Sequence, residues 1–345
     1  MAGLRVALLG CGVVSRYHFD AYVNCGQPVK IVAAIDAKKQ LADAYAKQCG
    51  ATAFTSLDEA LSQCDFDAVD VMLPHDLHEW AAIRCLKAGK HVLLEKPMAT
   101  TPDGCAAILE AAEMAAKSGA VFMVSENAQY WPEVVKAKEL VDEGMIGSLY
   151  YAEVNYWEDS SMLEFDKTDS THWTMNPERI GGGLLMAGSS HWMRPLRTWL
   201  GEVDEVIGFT CNPLRYRLPE SFETVCSALL RFKDGRHASF NAQLSDGPLS
   251  GQPYFRLLGS KGEMTIGGGF RGGLYLHTAS NMDGRLVQPV EGYFGSFLPM
   301  IREFVLTAQG QKKADIDPVY TLGEPLIMWA IYRSMKNKAW TKVTI

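Results

Sequence analysis

An apolar run, Leu4 to Leu9, breaks at Gly10-Cys11-Gly12-Val13-Val14-Ser15 and is followed by a helical pattern from Arg16 to Cys25. A strand, a glycine turn and a helix in that order leave few folds open, because this unit starts a parallel sheet built to hold a nucleotide. In the G-x-G-x-x-S spacing, Gly10 allows the sharp turn, Gly12 lets the backbone approach a pyrophosphate, and Ser15 is small enough for close helix packing. The helix start offers unpaired N–H groups to phosphates, which makes Gly10, Gly12, Val13 and Val14 cofactor-binding candidates. A second strand, Val29 to Ile35, delivers Asp36, where an acid accepts hydrogen bonds from ribose hydroxyls. An aspartate there repels a 2′-phosphate, so NAD is favoured over NADP; Lys38 and Lys39 weaken that preference without reversing it. Gly267-Gly268-Gly269-Phe270-Arg271-Gly272 repeats the spacing but has no helix after it, and reads as a hairpin or bulge.

The alternation continues with helices over Ala37 to Cys49 and Leu57 to Gln63, a strand over Ala68 to Leu73 and a helix over Leu77 to Ala88. His91 to Pro97 then reads as a buried central strand ending in Glu95-Lys96-Pro97. Ligands of open parallel sheets gather beyond the carboxyl ends of strands, so Leu73, Pro74 and His75 at one end and Glu95 and Lys96 at the next are further candidates. Proline keeps Lys96 extended. By itself, Lys96 also fits an ordinary surface lysine at a strand end. A helix over Thr101 to Ser118, a strand over Ala120 to Ser125 and a helix over Pro132 to Glu143 close the region. The first domain is 1–125, with 132–143 and 321–337 as helices that pack on it, and the second is 126–345.

Beyond Gly147 the texture changes to long alternating runs: 148–158, 203–212, 223–232, 236–244, 254–258 and 274–277. These read as antiparallel strands of a second α+β domain with an open sheet, followed by helices over Tyr293 to Gln309 and Leu322 to Lys336. The fold class is α/β, a doubly wound parallel sheet plus this largely antiparallel sheet. A chain of 345 residues, 48% apolar, suits two such domains. A net charge of -7 gives no nucleic-acid footprint. No apolar stretch is long enough for a membrane span, and the amino terminus shows no secretory leader. Eight scattered cysteines without a C-x-x-C pair fit reduced thiols in a cytoplasmic protein, and no histidine pair has ligand spacing, so no metal is expected.

Gly10-Cys11-Gly12 with Asp36, the string Ala88-Gly89-Lys90-His91-Val92-Leu93-Leu94-Glu95-Lys96-Pro97, and Gly181-Gly182-Gly183 with His191 resemble the glucose-fructose oxidoreductase, inositol dehydrogenase and rhizopine-catabolism (Gfo/Idh/MocA) family over nearly the whole chain. The resemblance implies NAD(P) and a sugar, cyclitol or sugar-acid-like substrate. It makes Lys96 the group touching the substrate hydroxyl and nicotinamide ribose, and His191 the proton acceptor in alcohol oxidation. It also implies a cofactor-crevice support in His78, a strand-end contact in His75, and a substrate wall in Tyr130, Trp157, Glu158, His172 and Trp173, each of which fits plain packing as well. Two departures stand out: Ala187 where the family often has an aspartate, and Arg194 where it often has an acid. Gln129 also replaces a frequent arginine. Arg194 suits a clamp for a substrate carboxylate, or an exposed helix position. The expected protein is an NAD-dependent dehydrogenase or reductase acting on CH–OH groups, homodimeric or homotetrameric because an open sheet must hide one face. The rivals are a redox-neutral lyase or glycosidase with tightly bound NAD, and a non-catalytic NAD-binding sensor.

Overall fold

The structure, a computed structural model, describes residues 3–159, 172–247, 254–267, 272–289 and 291–344. The chain divides into two compact units, Met1–Glu126 with Phe297–Leu322, and Asn127–Ser296 with Gly323–Ile345. In the first, β1 (Leu4–Leu9), α1 (Ser15–Asn24), β2 (Val29–Ile35), α2 (Lys39–Cys49), β3 (Thr52–Phe54), α3 (Leu57–Gln63), β4 (Ala68–Val71), α4 (His78–Lys87), β5 (His91–Glu95), α5 (Pro102–Ala116) and β6 (Phe122–Ser125) alternate. The strands form one parallel sheet in the order β3-β2-β1-β4-β5-β6. Its middle is apolar and dry: Val6, Leu8, Val69, Val71, Val92, Leu93 and Leu94 are fully buried, each side chain stabilising the sheet by roughly 1.5–3 kcal/mol. One residue breaks the pattern, Asp70, buried in β4 opposite Leu8 and Leu93. Side-chain caps start α3 and α5, where Ser56 accepts from the Glu59 N–H and Thr101 from the Gly104 N–H. The start of α1 has no side-chain cap.

The chain then runs through α6 (Pro132–Asp142), β7 (Leu149–Asp159), α7 (Pro177–Ile180), α8 (Leu184–Gly188), α9 (Ser190–Leu200), β8 (Val203–Cys211), β9 (Val225–Phe232), β10 (His237–Ser245), β11 (Phe255–Gly259), β12 (Gly262–Ile266), β13 (Gly273–Thr278), β14 (Asn281–Pro289), α10 (Gly292–Gly295), α11 (Phe297–Ala308), α12 (Gly323–Asn337) and β15 (Thr341–Lys342). The segment that returns to the first unit is Phe297–Leu322, whose α11 stacks Phe297 on Tyr17 of α1. Both α6 and α12 belong to the second unit.

The second unit is a nine-stranded sheet in the order β14-β13-β12-β11-β7-β10-β9-β8-β15. Strict alternation in β9 buries Cys226, Ala228, Leu230 and Phe232 and turns Leu229 outward, and Lys233-Asp234-Gly235 closes its hairpin with β10. Not every pair is antiparallel. Strand β10 pairs with β7 in parallel, because three helices and two strands separate them in the chain and allow a crossover. Strands β12 and β14 escape the sequence pattern; β14 is a polar edge strand with Met282 82% exposed. Helix α9 continues through Pro195 in its interior. Residues 268–271 of the second glycine cluster lie outside the described residues; on either side of them β12 and β13 pair antiparallel.

Candidate active site

The glycine turn is shaped by two opposite constraints. Gly10 has φ +97°, and a Cβ there would lie 2.4 Å from the Met72 carbonyl oxygen, so the turn presses on the end of β4. A Cβ on Gly12 would meet nothing within 4 Å: the room beside it is not filled by protein. Val13 projects outward, 52% exposed, and Val14 is the N-cap of α1, with a side chain that makes no capping bond. Ser15 is buried, donating to the Gly12 carbonyl at 2.6 Å and bonded to the Tyr45 hydroxyl at 2.8 Å. Asp36 closes the turn: one carboxylate oxygen accepts the Cys11 N–H at 2.9 Å and the other the Lys38 N–H at 2.8 Å, leaving lone pairs for further donors. Lys39 is engaged with Asp43 one turn along α2. Open room at Gly12, an uncapped helix start and an oriented acid fit a dinucleotide.

The next two strand ends are tied together. The His78 ring spans from the Leu73 carbonyl to the Pro97 carbonyl, 2.8 Å at each nitrogen, and burial pulls its pKa below the ordinary histidine value. His75 is also buried, its ring 5.5 Å from that of His78, and Pro74 caps the short turn between them. Glu95 ends β5. One of its oxygens accepts the Lys96 N–H at 3.1 Å, and the other accepts from Ser125 Oγ at 2.9 Å and faces His18 Nε2 at 3.0 Å. The Lys96–Pro97 peptide is cis.

In the second unit the triple glycine is a packing requirement. A Cβ on Gly182 would lie 2.2 Å from the Tyr332 hydroxyl, and one on Gly183 2.4 Å from the Glu223 carbonyl. Glu223, buried and pushed up in pKa by that burial, accepts the Leu185 N–H at 2.9 Å and the Tyr332 hydroxyl at 2.8 Å, fixing α8. Helix α9 follows and carries His191, half-buried between the Trp131 ring at 6.4 Å and the Tyr293 ring at 5.5 Å. Trp192 stacks on Tyr156, 4.9 Å away, and the Tyr156 hydroxyl donates to Glu158. Ala187 places no carboxylate here; its neighbour Gly188 faces the Tyr156 hydroxyl, 2.4 Å from an ideal Cβ.

Arg194 is not an exposed helix residue. It is 1% exposed, and the carboxylate it clamps is Glu324 of α12, by Nε at 2.7 Å and Nη2 at 2.8 Å. Its Nη1 donates to Gln129, which joins α9 to the short helix 127–130 that contains Tyr130. Arg197 shares Glu324 and also reaches Glu202 at 2.6 Å. His172 caps its own turn, with Nδ1 2.7 Å from Thr174 Oγ1, and Trp173 lies beside it. Trp157 sits in β7 opposite Gln243 of β10, half-buried. The structure thus gathers Gly10, Gly12, Asp36, Leu73, His78, Glu95 and Lys96 in the first unit. In the second it joins His191 to Trp131 and Tyr293, which sequence reasoning missed along with His18, Asp70, Ser125, Glu223 and Glu324. Among the described residues no group of three or more His, Cys, Asp or Glu is placed to hold a metal ion, and no helix is long and apolar enough to cross a membrane.

Two family models match: the oxidoreductase family with NAD-binding Rossmann fold over residues 4–126, and the GFO/IDH/MocA C-terminal domain over 134–265. The chain belongs to the Gfo/Idh/MocA oxidoreductase family. Among curated Gfo/Idh/MocA relatives, levoglucosan dehydrogenase of Pseudarthrobacter phenanthrenivorans is 30% identical over 60% of this chain and 53% of its own length. Inositol 2-dehydrogenase/D-chiro-inositol 3-dehydrogenase of Shouchella clausii is 32% identical over 51% of this chain and 54% of its own. The chain therefore matches about half the length of these two. Among solved structures, the WlbA dehydrogenase of Bordetella pertussis in complex with NADH and UDP-GlcNAcA superposes with a TM-score of 0.82, at 25% identity and 99% coverage of both chains.

Proposed function

We propose that this Gfo/Idh/MocA protein is an NAD-dependent dehydrogenase or reductase that moves a hydride between nicotinamide and a secondary alcohol or carbonyl of a sugar- or cyclitol-like molecule. The observation that carries the reading is Lys96, presented directly after β5 with its N–H held by Glu95, in the same unit as a glycine turn whose open side is not filled by protein. The relatives named above, which act on levoglucosan and inositol, support the substrate class. Gly10, Gly12, Val13, Val14 and Asp36 are assigned to the cofactor's phosphates and ribose, with Leu73, Pro74, His75, His78 and Glu95 shaping its other end. NAD, when bound, supplies the hydride acceptor.

The chain's own residues supply charge and proton handling. Oxidation of an alcohol carbon requires loss of the hydroxyl proton, and an imidazole can take it near neutral pH; that role is assigned to His191. The Lys96 ammonium stabilises the developing alkoxide and orients the hydroxyl. Tyr293, half-buried beside His191, offers an aromatic face to a sugar ring, and the buried Trp131 backs the histidine from the other side. Tyr130, Trp157, His172 and Trp173 remain assigned to the substrate wall. Arg194 is withdrawn from it, because its guanidinium is engaged by Glu324. That favours neutral substrates over sugar acids. A homodimer or homotetramer is proposed from the outward apolar side chains of the sheet, Phe209 (58% exposed) and Leu229 (47%). A cytoplasmic location is proposed from the eight unpaired cysteines.

The test is absorbance at the reduced-nicotinamide band with neutral sugars, cyclitols, sugar acids and hydroxy acids, in both directions, with Lys96→Met as control. NADH formation from a neutral polyol, lost in the control, is the expected result. Silence with every class in both directions, despite NAD binding, overturns the dehydrogenase reading.

A further inference from the structure

The first unit contains a buried polar chain that the proposed chemistry does not use. His18 of α1 is wholly buried, with Nδ1 2.8 Å from Asp70 of β4 and Nε2 3.0 Å from Glu95 of β5. Glu95 also accepts from Ser125 at the end of β6, and its other oxygen holds the Lys96 N–H. The chain therefore links α1 to three adjacent strands and stops at the backbone of the lysine. A neutral imidazole has one N–H, and it would turn a lone pair toward one of the two carboxylates. Only the doubly protonated ring donates to both.

We propose that His18 is a charged imidazolium at neutral pH and a positioning residue for Lys96, acting through Glu95. This rests on the assignment of Lys96 to the reaction. Burial works against the charged form of His18, but Asp70 and Glu95 outweigh burial and push its pKa up to about 10. Burial and the nearby Glu95 push the Asp70 carboxyl up, while the charge and hydrogen bond of His18 pull it part of the way back down. Glu95 is pushed up by burial, yet His18, Lys96 and Ser125 together hold it below the usual carboxylate value. The Tyr22 hydroxyl stands beside Asp70, His78 lies within the field of Glu95, and α11 contributes the uncharged Phe297 ring, 5.3 Å from His18. With His18 charged, Glu95 stays an anion and its rotamer is fixed from two sides. The free oxygen can then point only at the Lys96 N–H, which fixes where the lysine side chain starts. A lysine that starts about 1 Å away loses up to about 100-fold in rate.

Two measurements on the full chain test this, neither needing a substrate. The first is the imidazole nitrogen resonances of His18 from pH 6 to 9, expected to show both nitrogens protonated throughout; a neutral ring at pH 7 overturns the proposal even if no variant folds. The second is amide hydrogen exchange in His18→Gln, Glu95→Gln and the double variant. Exchange at Lys96 should quicken by about 10-fold in each single variant, while Val92 and Leu94 within β5 stay protected, and the double variant should be no faster than Glu95→Gln alone. Unchanged exchange at Lys96 in His18→Gln, or effects that multiply, overturns it. If Lys96→Met keeps its turnover, the functional assignment of Lys96 fails while these two results still decide whether His18 holds the lysine.

Discussion

Glu324 accepts two bonds from Arg194 and one from Arg197 in a place where all three side chains are nearly dry, 1–3% exposed. Replacing Glu324 by Gln keeps its shape and removes its charge. An amide oxygen in the position of Oε1 still accepts from Arg194 Nε and Arg197 Nη1. The amide nitrogen then faces Arg194 Nη2, donor against donor, and a charge-assisted bond worth roughly 1.5–3 kcal/mol is lost. Arg194 keeps the amide oxygen and Gln129 as neutral acceptors and Arg197 keeps Glu202, but the negative charge that both guanidinium groups faced is gone. Removing the opposite charge from a buried ion pair costs about 3–5 kcal/mol, or roughly two to three and a half powers of ten in the folding equilibrium. Seven of the eight tryptophans, all but Trp80, lie in the second unit, so urea unfolding followed by their fluorescence reads the change where it occurs. Arg194→Met with Glu324→Leu removes the pair together and should recover part of the loss, since matched apolar replacement of a buried pair is often nearly neutral. If Glu324→Gln lies within about 1 kcal/mol of wild type, the pair is not the clamp described here. Arg194 would then again be a candidate for a substrate carboxylate.

The two glycines of the turn should respond in opposite ways. Gly10→Ala drives a Cβ into the Met72 carbonyl at positive φ and should destabilise the first unit by about 1–3 kcal/mol in thermal unfolding, whereas Gly12→Val should leave unfolding unchanged and abolish NADH fluorescence binding. Asp36→Ser removes the charge that disfavours a 2′-phosphate and should move the ratio of NADP to NAD affinity upward by about 10–100-fold in titration calorimetry; no change would mean the acid does not face the ribose. The His18 contribution to stability has a definite sign. Because its folded pKa, about 10, exceeds the unfolded value near 6.5, the stabilisation is complete below about pH 6.5 and disappears as pH rises through about 10. The stability gap between wild type and His18→Gln, read by circular dichroism melts, should therefore shrink across that window.

Much of this was visible in the amino-acid order because the signals are local. Gly10-Cys11-Gly12 and the first strands and helices lie within short windows, and the turn, period and capping rules that read them act over the same distance. The same applies to the alternation in β9 and to Thr101 at the start of α5. What stayed hidden depends on pairing across long separations. Arg194 and Glu324 are 130 residues apart, and nothing in either neighbourhood names the other. An arginine in a helical segment reads equally as surface or ligand until its acid is located.

Asp70 shows where such a limit can be narrowed. It interrupts the run Ala68-Val69-Asp70-Val71-Met72, and a charge in the centre of a buried parallel strand cannot stand without a donor. The sequence alone therefore demands a buried polar partner for β4, although it cannot say that the partner is His18, 52 residues earlier on α1. Once that partner is known, Glu95 follows, because a histidine held by one buried carboxylate has a second nitrogen to satisfy. Glu95 in turn is fixed in sequence beside Lys96. An acid that looks misplaced in an apolar strand is thus the outer end of a chain of necessities that leads to the lysine proposed to do the chemistry. In chains of this fold, charged residues inside the central strands are a place to look for groups that hold the site.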